Sequence, residues 1–143
     1  MEILIEDRQG RHKIAHKKIE RKARTILNAL GCPEGELSIL IVDDSEIARL
    51  NEEYLKRSGA TNVIAFPMQQ GPFGHINPNL LGDVVISLDT TAREAKDADI
   101  SVELRFDQLL IHGILHLLGF DHEKTPKQAE TMMLKEEELL RLL

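Results

Sequence analysis

Apolar residues recur along this chain with two different periods, and these periods separate strands from helices. Short apolar runs bounded by polar or turn residues are typical of strands in a buried sheet. They predict four strands, at residues 2–6, 37–42, 63–66 and 82–88. Longer segments with apolar residues every three or four positions are typical of helices. They predict five helices, at about residues 11–30, 44–55, 89–98, 102–118 and 126–143. The order β-α-β-α-β-β-α-α-α predicts an α+β fold, a small mixed sheet packed with helices.

The predicted helix at 102–118 is apolar on nearly all sides, which places it at the centre of the fold. It carries His112 and His116, which lie one turn apart and therefore point in the same direction. Gly119 follows the helix, and a left-handed glycine there would reverse the chain and bring His122 back towards them. Three neutral imidazoles around one point leave a fourth position open, as in catalytic zinc sites.

A hydrogen-bonded core histidine is the ordinary interpretation of a single histidine in so apolar a helix. Two of them on one face are harder to explain in this way, because each brings polar nitrogens that need partners. The spacing of His112, His116 and His122 therefore predicts one bound metal ion per chain. Zinc suits imidazole ligands, as do other divalent transition metals.

The spacing of the three histidines also matches the H-E-x-x-H-x-x-G-x-x-H pattern of the metzincin proteases, whose glutamate is the general base. In this chain Gly113 stands at the position of that glutamate. Asp121 is a candidate for acid–base chemistry or for orienting a ligand imidazole. A turn residue that bonds its own backbone is an equally good account of Asp121. The missing glutamate favours a hydrolase other than a peptidase.

Length and composition predict one domain spanning residues 1–143, since 42% apolar content suffices for one core. The single cysteine excludes an internal disulfide and fits a reducing compartment. No secretory signal pattern opens the sequence, and the longest nearly apolar run, 109–120, is too short to span a bilayer. We therefore expect a soluble, cytoplasmic protein with no membrane partner.

Charge is distributed unevenly along the chain. The formal net charge is −6, yet residues 8–24 contain eight basic residues and one acidic residue. Such a segment can form a basic face that holds phosphates on an otherwise acidic protein. A solvated helix face is an equally good interpretation.

Three sequence blocks resemble the YbeY family of bacterial metal-dependent endoribonucleases. The family hallmark H-G-x-L-H-L-x-G-Y-D-H matches residues 112–122, with Phe120 in place of the tyrosine. A block similar to N-x-x-Y-R-x-K-D-x-P-T-[DN]-V-L-S-F-P spans residues 51–67, and L-G-D-[IL]-V-I is met at residues 81–86. The resemblance implies a mostly parallel four-stranded sheet and a zincin-like metal site on the central helix. It also implies cleavage of single-stranded RNA within ribosomal RNA precursors, with the small ribosomal subunit or its assembly proteins as partners and no DNA specificity.

One departure from the family pattern concerns the reaction. The arginine that follows the tyrosine in the family, and is implicated in cleavage, aligns with Leu55. Arg57 lies nearby and is the candidate replacement, although two residues further along a helix it would point elsewhere. We expect the metal to bind a phosphate oxygen or to activate water. Arg57, or cations of the first helix, would then neutralise the phosphate.

Two other functions stay open at this point. A non-catalytic ribosome-assembly factor would use the zinc as a structural element, and the missing arginine favours it slightly. A metzincin-like peptidase would keep the ligands but lacks the general base.

Overall fold

Strands and helices follow one another in the predicted order. The computed structural model of the chain describes residues 2–68, 79–120 and 125–143. Within these residues the strands are β1 (Ile3–Asp7), β2 (Glu36–Val42), β3 (Val63–Pro67) and β4 (Leu80–Ser87). The helices are α1 (His16–Ala29), α2 (Asp44–Leu55), α3 (Leu88–Ala98), α4 (Val102–Leu117) and α5 (Pro126–Leu140).

The four strands form one mixed sheet in the order β1-β2-β4-β3. β1, β2 and β4 are parallel, and β3 runs antiparallel to β4. The expected α+β fold with a small, mostly parallel four-stranded sheet and five helices is therefore confirmed.

Side chains that alternate along β4 supply two apolar cores. Val84 and Ile86 belong to the larger core, which α1, α4 and α5 complete on one face of the sheet. Val85 belongs to the smaller core, where it packs with Ile47 of α2 on the other face. Neighbouring residues of a strand point to opposite faces, so β4 is buried on both sides.

α4 lies at the centre of the fold, as its apolar composition predicts. It contacts β3, β4, α1, α3 and α5. Leu110, Ile114 and Leu115 of this helix are fully buried. In the part of the chain that the structure describes, no helix has both the length and the apolar character needed to cross a membrane.

Element boundaries differ from the predicted ones by a few residues, for local reasons. α1 begins at His16 rather than near Arg11, because the side chain of Gln9 binds the backbone N–H groups of Arg11 and His12 in a turn. β4 ends at Ser87, whose hydroxyl accepts a hydrogen bond from the N–H of Thr90 and caps α3.

Candidate metal centre

His112 and His116 bring two ring nitrogens together near the C-terminal end of α4. Their Nε2 atoms are 3.1 Å apart. Their ring centroids are 4.6 Å apart, and the ring planes are inclined at 71°. Both side chains are half-buried. Two lone pairs that face each other repel, so nitrogens this close either share a hydrogen bond or face a common cation.

The separation of these nitrogens fits two adjacent ligands of one metal ion. Nitrogens bound to a tetrahedral zinc at 2.0–2.1 Å are about 3.3 Å apart. The observed 3.1 Å lies close to that value. The predicted third ligand His122, and its neighbour Asp121, lie outside the described residues. Within residues 2–68, 79–120 and 125–143, no three His, Cys, Asp or Glu side chains form a metal-binding group.

Glu136 is a partner of His112 that the sequence analysis missed. Its Oε2 atom lies 3.1 Å from Nδ1 of His112. In a neutral ring, a nitrogen that donates its hydrogen to a carboxylate leaves the other nitrogen unprotonated. This arrangement would direct the unprotonated Nε2 of His112 towards His116, as the predicted metal site requires. A carboxylate behind a ligand histidine is the usual second contact of imidazoles in metal sites.

Gly113 lets α4 approach the sheet closely. A Cβ atom at this position would lie 2.6 Å from Cγ1 of Val84 and 3.2 Å from Cγ2 of Val63. Both distances are shorter than ordinary van der Waals contacts. A glutamate at this position would force the helix or the two valine side chains to move, so packing as well as chemistry separates this site from the peptidases.

Gly119 ends α4 as predicted. Its φ is +93°, in the left-handed region that favours glycine. The N–H of Phe120 binds the carbonyl of Leu115, and the N–H of Gly119 binds the carbonyl of His116. These two bonds form a Schellman motif, which reverses the chain at a helix end. The last turn of α4, which carries His116, is thereby fixed.

Comparison with known proteins identifies the family. A family model described as endoribonuclease YbeY matches residues 4–143. The chain belongs to this family. A Syntrophotalea carbinolica protein named endoribonuclease YbeY is 51% identical over 138 residues, which cover 96% of this chain and 92% of the relative. A Geobacter sulfurreducens protein of the same name is 47% identical over 144 residues, or 100% of this chain and 96% of the relative. The resemblance stated from the sequence, and with it the assignment to the endoribonucleases, is confirmed.

A solved structure supports the fold. A Thermotoga maritima protein, whose structure was determined in solution, superposes with a TM-score of 0.70. The aligned part covers 97% of this chain and 87% of that protein, at 22% sequence identity. The likeness concerns the fold, and the zincin-like metal site on α4 stays a prediction.

Leu55, which the motif resemblance aligns with the family arginine, is the last residue of α2. Arg57 follows in an exposed loop that Asn51 holds at its base. The Asn51 carbonyl accepts the N–H of Arg57, and the Asn51 side chain donates to the carbonyl of Gly59. Within the described residues, the guanidinium of Arg57 has no hydrogen bond or ion pair. This side chain is therefore available to a phosphate, and its role in catalysis stays a prediction.

Most cations of the segment at residues 8–24 are paired. The pairs join Arg8 to Glu6 and Glu46, Arg11 to Asp89, Lys18 to Glu103, Lys22 to Glu103 and Asp107, and Arg24 to the carbonyls of Pro33 and Gly35, which accounts for five of the eight basic residues. Asp107 and His116 are nine residues apart on α4, and at 100° per residue they point in opposite directions. Lys22 therefore ties α1 to the side of α4 that faces away from His116. This placement argues against the cations of α1 as phosphate ligands at the histidines.

A cavity of about 300 Å³ lies beside His112, between α4, α5 and the start of β3. Besides His112, its polar lining consists of Asn62, Arg105, Gln108, Glu136 and Glu137. The guanidinium of Arg105 pairs with Glu94 at 3.0 Å and donates to Oε1 of Gln108 at 2.8 Å. The charge of Arg105 is thus already balanced by Glu94, so this part of the site presents amide and carboxylate groups rather than an unbalanced positive charge.

Proposed function

We propose that this YbeY-family protein is a metal-dependent endoribonuclease that cleaves single-stranded segments of ribosomal RNA precursors in the cytoplasm. His112, His116 and His122 would hold one divalent ion, with zinc as the first candidate. The observation that carries the proposal is the 3.1 Å approach of the two Nε2 atoms on α4 in a member of an endoribonuclease family. Family membership favours this function over the assembly-factor and peptidase alternatives.

Contacts among the described residues would orient the ligand nitrogens in the absence of the ion. Glu136 holds the hydrogen of His112 on Nδ1, so the lone pair of Nε2 faces His116. The glycine-terminated end of α4 fixes the last helical turn. When bound, the ion would stabilise charge on a phosphate oxygen and make a water ligand more acidic. Asp121 is our candidate acid–base group beside His122.

A cation besides the metal ion would further stabilise charge on the reacting phosphate. We assign this role to Arg57, because it is exposed and the loop that carries it is anchored by Asn51. The family arginine position is occupied by Leu55, which has no charge to offer. Backbone phosphates would then supply most of the RNA contacts, and small-subunit assembly proteins are the proposed protein partners.

Cleavage of an end-labelled, unstructured RNA tests the proposal. The wild type is compared with His116→Ala and with His16→Ala, purified in parallel. His16 is the matched control because it is an exposed histidine at the first position of another helix. We expect wild type and His16→Ala to cleave, and His116→Ala to lose at least about 100-fold in rate together with its bound metal, as for loss of a group that acts on the reacting phosphate.

The same assay examines Arg57. Arg57→Ala should slow cleavage while metal content, measured by atomic spectrometry, stays at the wild-type level. Equal cleavage by wild type and His116→Ala, or none by either, would reject catalysis at this centre. It would favour the assembly-factor alternative, with the metal as a structural element.

A further inference from the structure

The contact between His112 and Glu136 joins α4 to α5. Nδ1 of His112 and Oε2 of Glu136 are 3.1 Å apart, and their side chains are 26% and 32% exposed. The pair is thus partly screened from water. A hydrogen bond to a carboxylate is stronger in such a partly buried position than on the open surface. The position of His112 is therefore coupled to the position of α5.

Glu136 faces inward because of its place on α5. It lies four residues after Met132 and three before Leu139, so the three side chains share one face of the helix. Met132 and Leu139 are buried in the main core. Glu137 and Glu138 lie on the exposed side. The packing of two apolar residues thus selects which glutamate of this acidic helix reaches His112.

α5 has few polar ties to the rest of the fold. Within the residues that the structure describes, His112–Glu136 is the one side-chain hydrogen bond or ion pair that joins α5 to another element. Apolar contacts with α4, and the burial of Met132 and Leu139 in the main core, add to this attachment. A ligand that immobilises the ring of His112 would therefore also stabilise the packing of α5 against α4.

We propose that Glu136 is a positioning residue of the metal centre, which holds the His112 ring with Nε2 towards the ion and makes α5 docking responsive to metal binding. The inference rests on the proposed function, since it takes His112 and His116 as ligands. Glu136 itself does not touch the reacting atoms. Its carboxylate accepts the N–H of His112, fixes the tautomer and raises the electron density of the ligand nitrogen.

Metal affinity of the whole chain, without any RNA, is the primary test. Zn²⁺ binding is measured by competition with a chromophoric chelator for wild type, Glu136→Ala, Glu136→Gln and Glu138→Ala. Glu138 is the control because it is exposed and does not line the cavity beside His112. Loss of such a second contact typically weakens metal binding about 10–100-fold. We expect that loss for Glu136→Ala, a smaller loss for Glu136→Gln, whose amide oxygen can still accept the N–H, and a change of at most about twofold for Glu138→Ala.

Two further readouts separate positioning from a merely structural role. The absorption spectrum of bound Co²⁺ should shift in Glu136→Ala and stay unchanged in Glu138→Ala, because only the former removes the hydrogen-bond partner of a proposed ligand, His112. Amide hydrogen exchange in α5 should slow when Zn²⁺ is added to wild type, and this effect should be smaller in Glu136→Ala.

Each outcome decides between the hypotheses. If wild type binds Zn²⁺ and Glu136→Ala binds it equally tightly with an unchanged Co²⁺ spectrum, the role of Glu136 is rejected while the metal centre stands. If wild type itself binds no Zn²⁺, the metal centre and this inference are both rejected. Glu136→Gln keeps the size of the side chain, so it provides the answer should Glu136→Ala fail to fold.

Discussion

At the scale of single residues, Gly113 determines how close the central helix comes to the sheet. The space a Cβ would need is filled by Val84, which is fully buried. Gly113→Ala should therefore lower the free energy of unfolding by about 1–2 kcal/mol. The 2.6 Å approach to Val84 puts the overpacking cost in the upper part of its usual range of about 1–3 kcal/mol, and alanine returns about 1 kcal/mol in helix propensity. Denaturant unfolding measures the change.

A double-mutant cycle with Val84→Ala provides the control for this prediction. Val84→Ala removes the Cγ1 atom that the new methyl group would meet, so the two substitutions should be less destabilising together than the sum of their separate effects. An unchanged or higher stability of Gly113→Ala alone would show that the helix moves freely and that the close approach is unimportant.

The histidine pair could be predicted from the sequence, whereas its carboxylate partner could not. His112 and His116 are four residues apart, and helical geometry alone places their rings together. Glu136 lies 24 residues from His112 in sequence. Its position depends on how α5 packs, and that helix contains several glutamates. The spacing of Met132, Glu136 and Leu139 along one face was the available signal.

At the scale of helices and strands, an ion-pair cluster joins α1 to α4. Nζ of Lys22 lies 2.8 Å from Oδ1 of Asp107 and 2.9 Å from Oε1 of Glu103, and Lys18 also pairs with Glu103. Hydrogen bonds from Lys18 and Lys22 lower the pKa of Glu103 from 4.5 to about 2. Folding therefore favours the ionised form of the Glu103 carboxylate.

This cluster predicts a stability that depends on pH. Because the pKa of Glu103 is lowered on folding, its contribution is present above about pH 4.5 and is lost as the pH falls towards about 2. Glu103→Gln should be less stable than wild type near neutral pH, and the difference should shrink across that acid range. Urea unfolding at a series of pH values measures it.

Glu138→Gln is a suitable control for the acid series, since Glu138 is also exposed and pairs with a lysine, but within its own helix. Its stability should follow that of wild type closely, because such surface pairs contribute little. A constant gap between wild type and Glu103→Gln down to pH 2 would contradict the role assigned to Glu103.

Element order could be predicted from periodicity, but element ends depended on single side chains. Apolar runs located all four strands, and the glycine after α4 was correctly identified as its end. The predicted start of α1 is too early, because the sequence does not show that the side chain of Gln9 accepts hydrogen bonds from the N–H groups of Arg11 and His12 in the turn before the helix. Such side-chain bonds compete with helix formation locally.

At the scale of the whole molecule, the proposed metal centre lies where the fold is most connected. α4 contacts both sheet strands beside it and three other helices. The proposed ligands His112 and His116 occupy its last two turns, and Glu136 of α5 contacts His112. An ion bound there would therefore stabilise the whole native fold, and its binding free energy would add to the free energy of unfolding.

Thermal unfolding with and without metal tests this coupling. A ligand that binds only the native state, at 100 times its Kd, stabilises it by about 2.7 kcal/mol, which corresponds to a rise in Tm of about 5–10 °C for a chain of this size. We expect that rise when Zn²⁺ is added to chelator-treated wild type, and none in His116→Ala. His16→Ala should behave as wild type, since His16 lies on α1.

An equal rise in His116→Ala would show that the ion binds elsewhere. A metal-free chain that is already unfolded at 25 °C would mean that the ion is needed for folding itself, so cleavage would then have to be measured at saturating Zn²⁺.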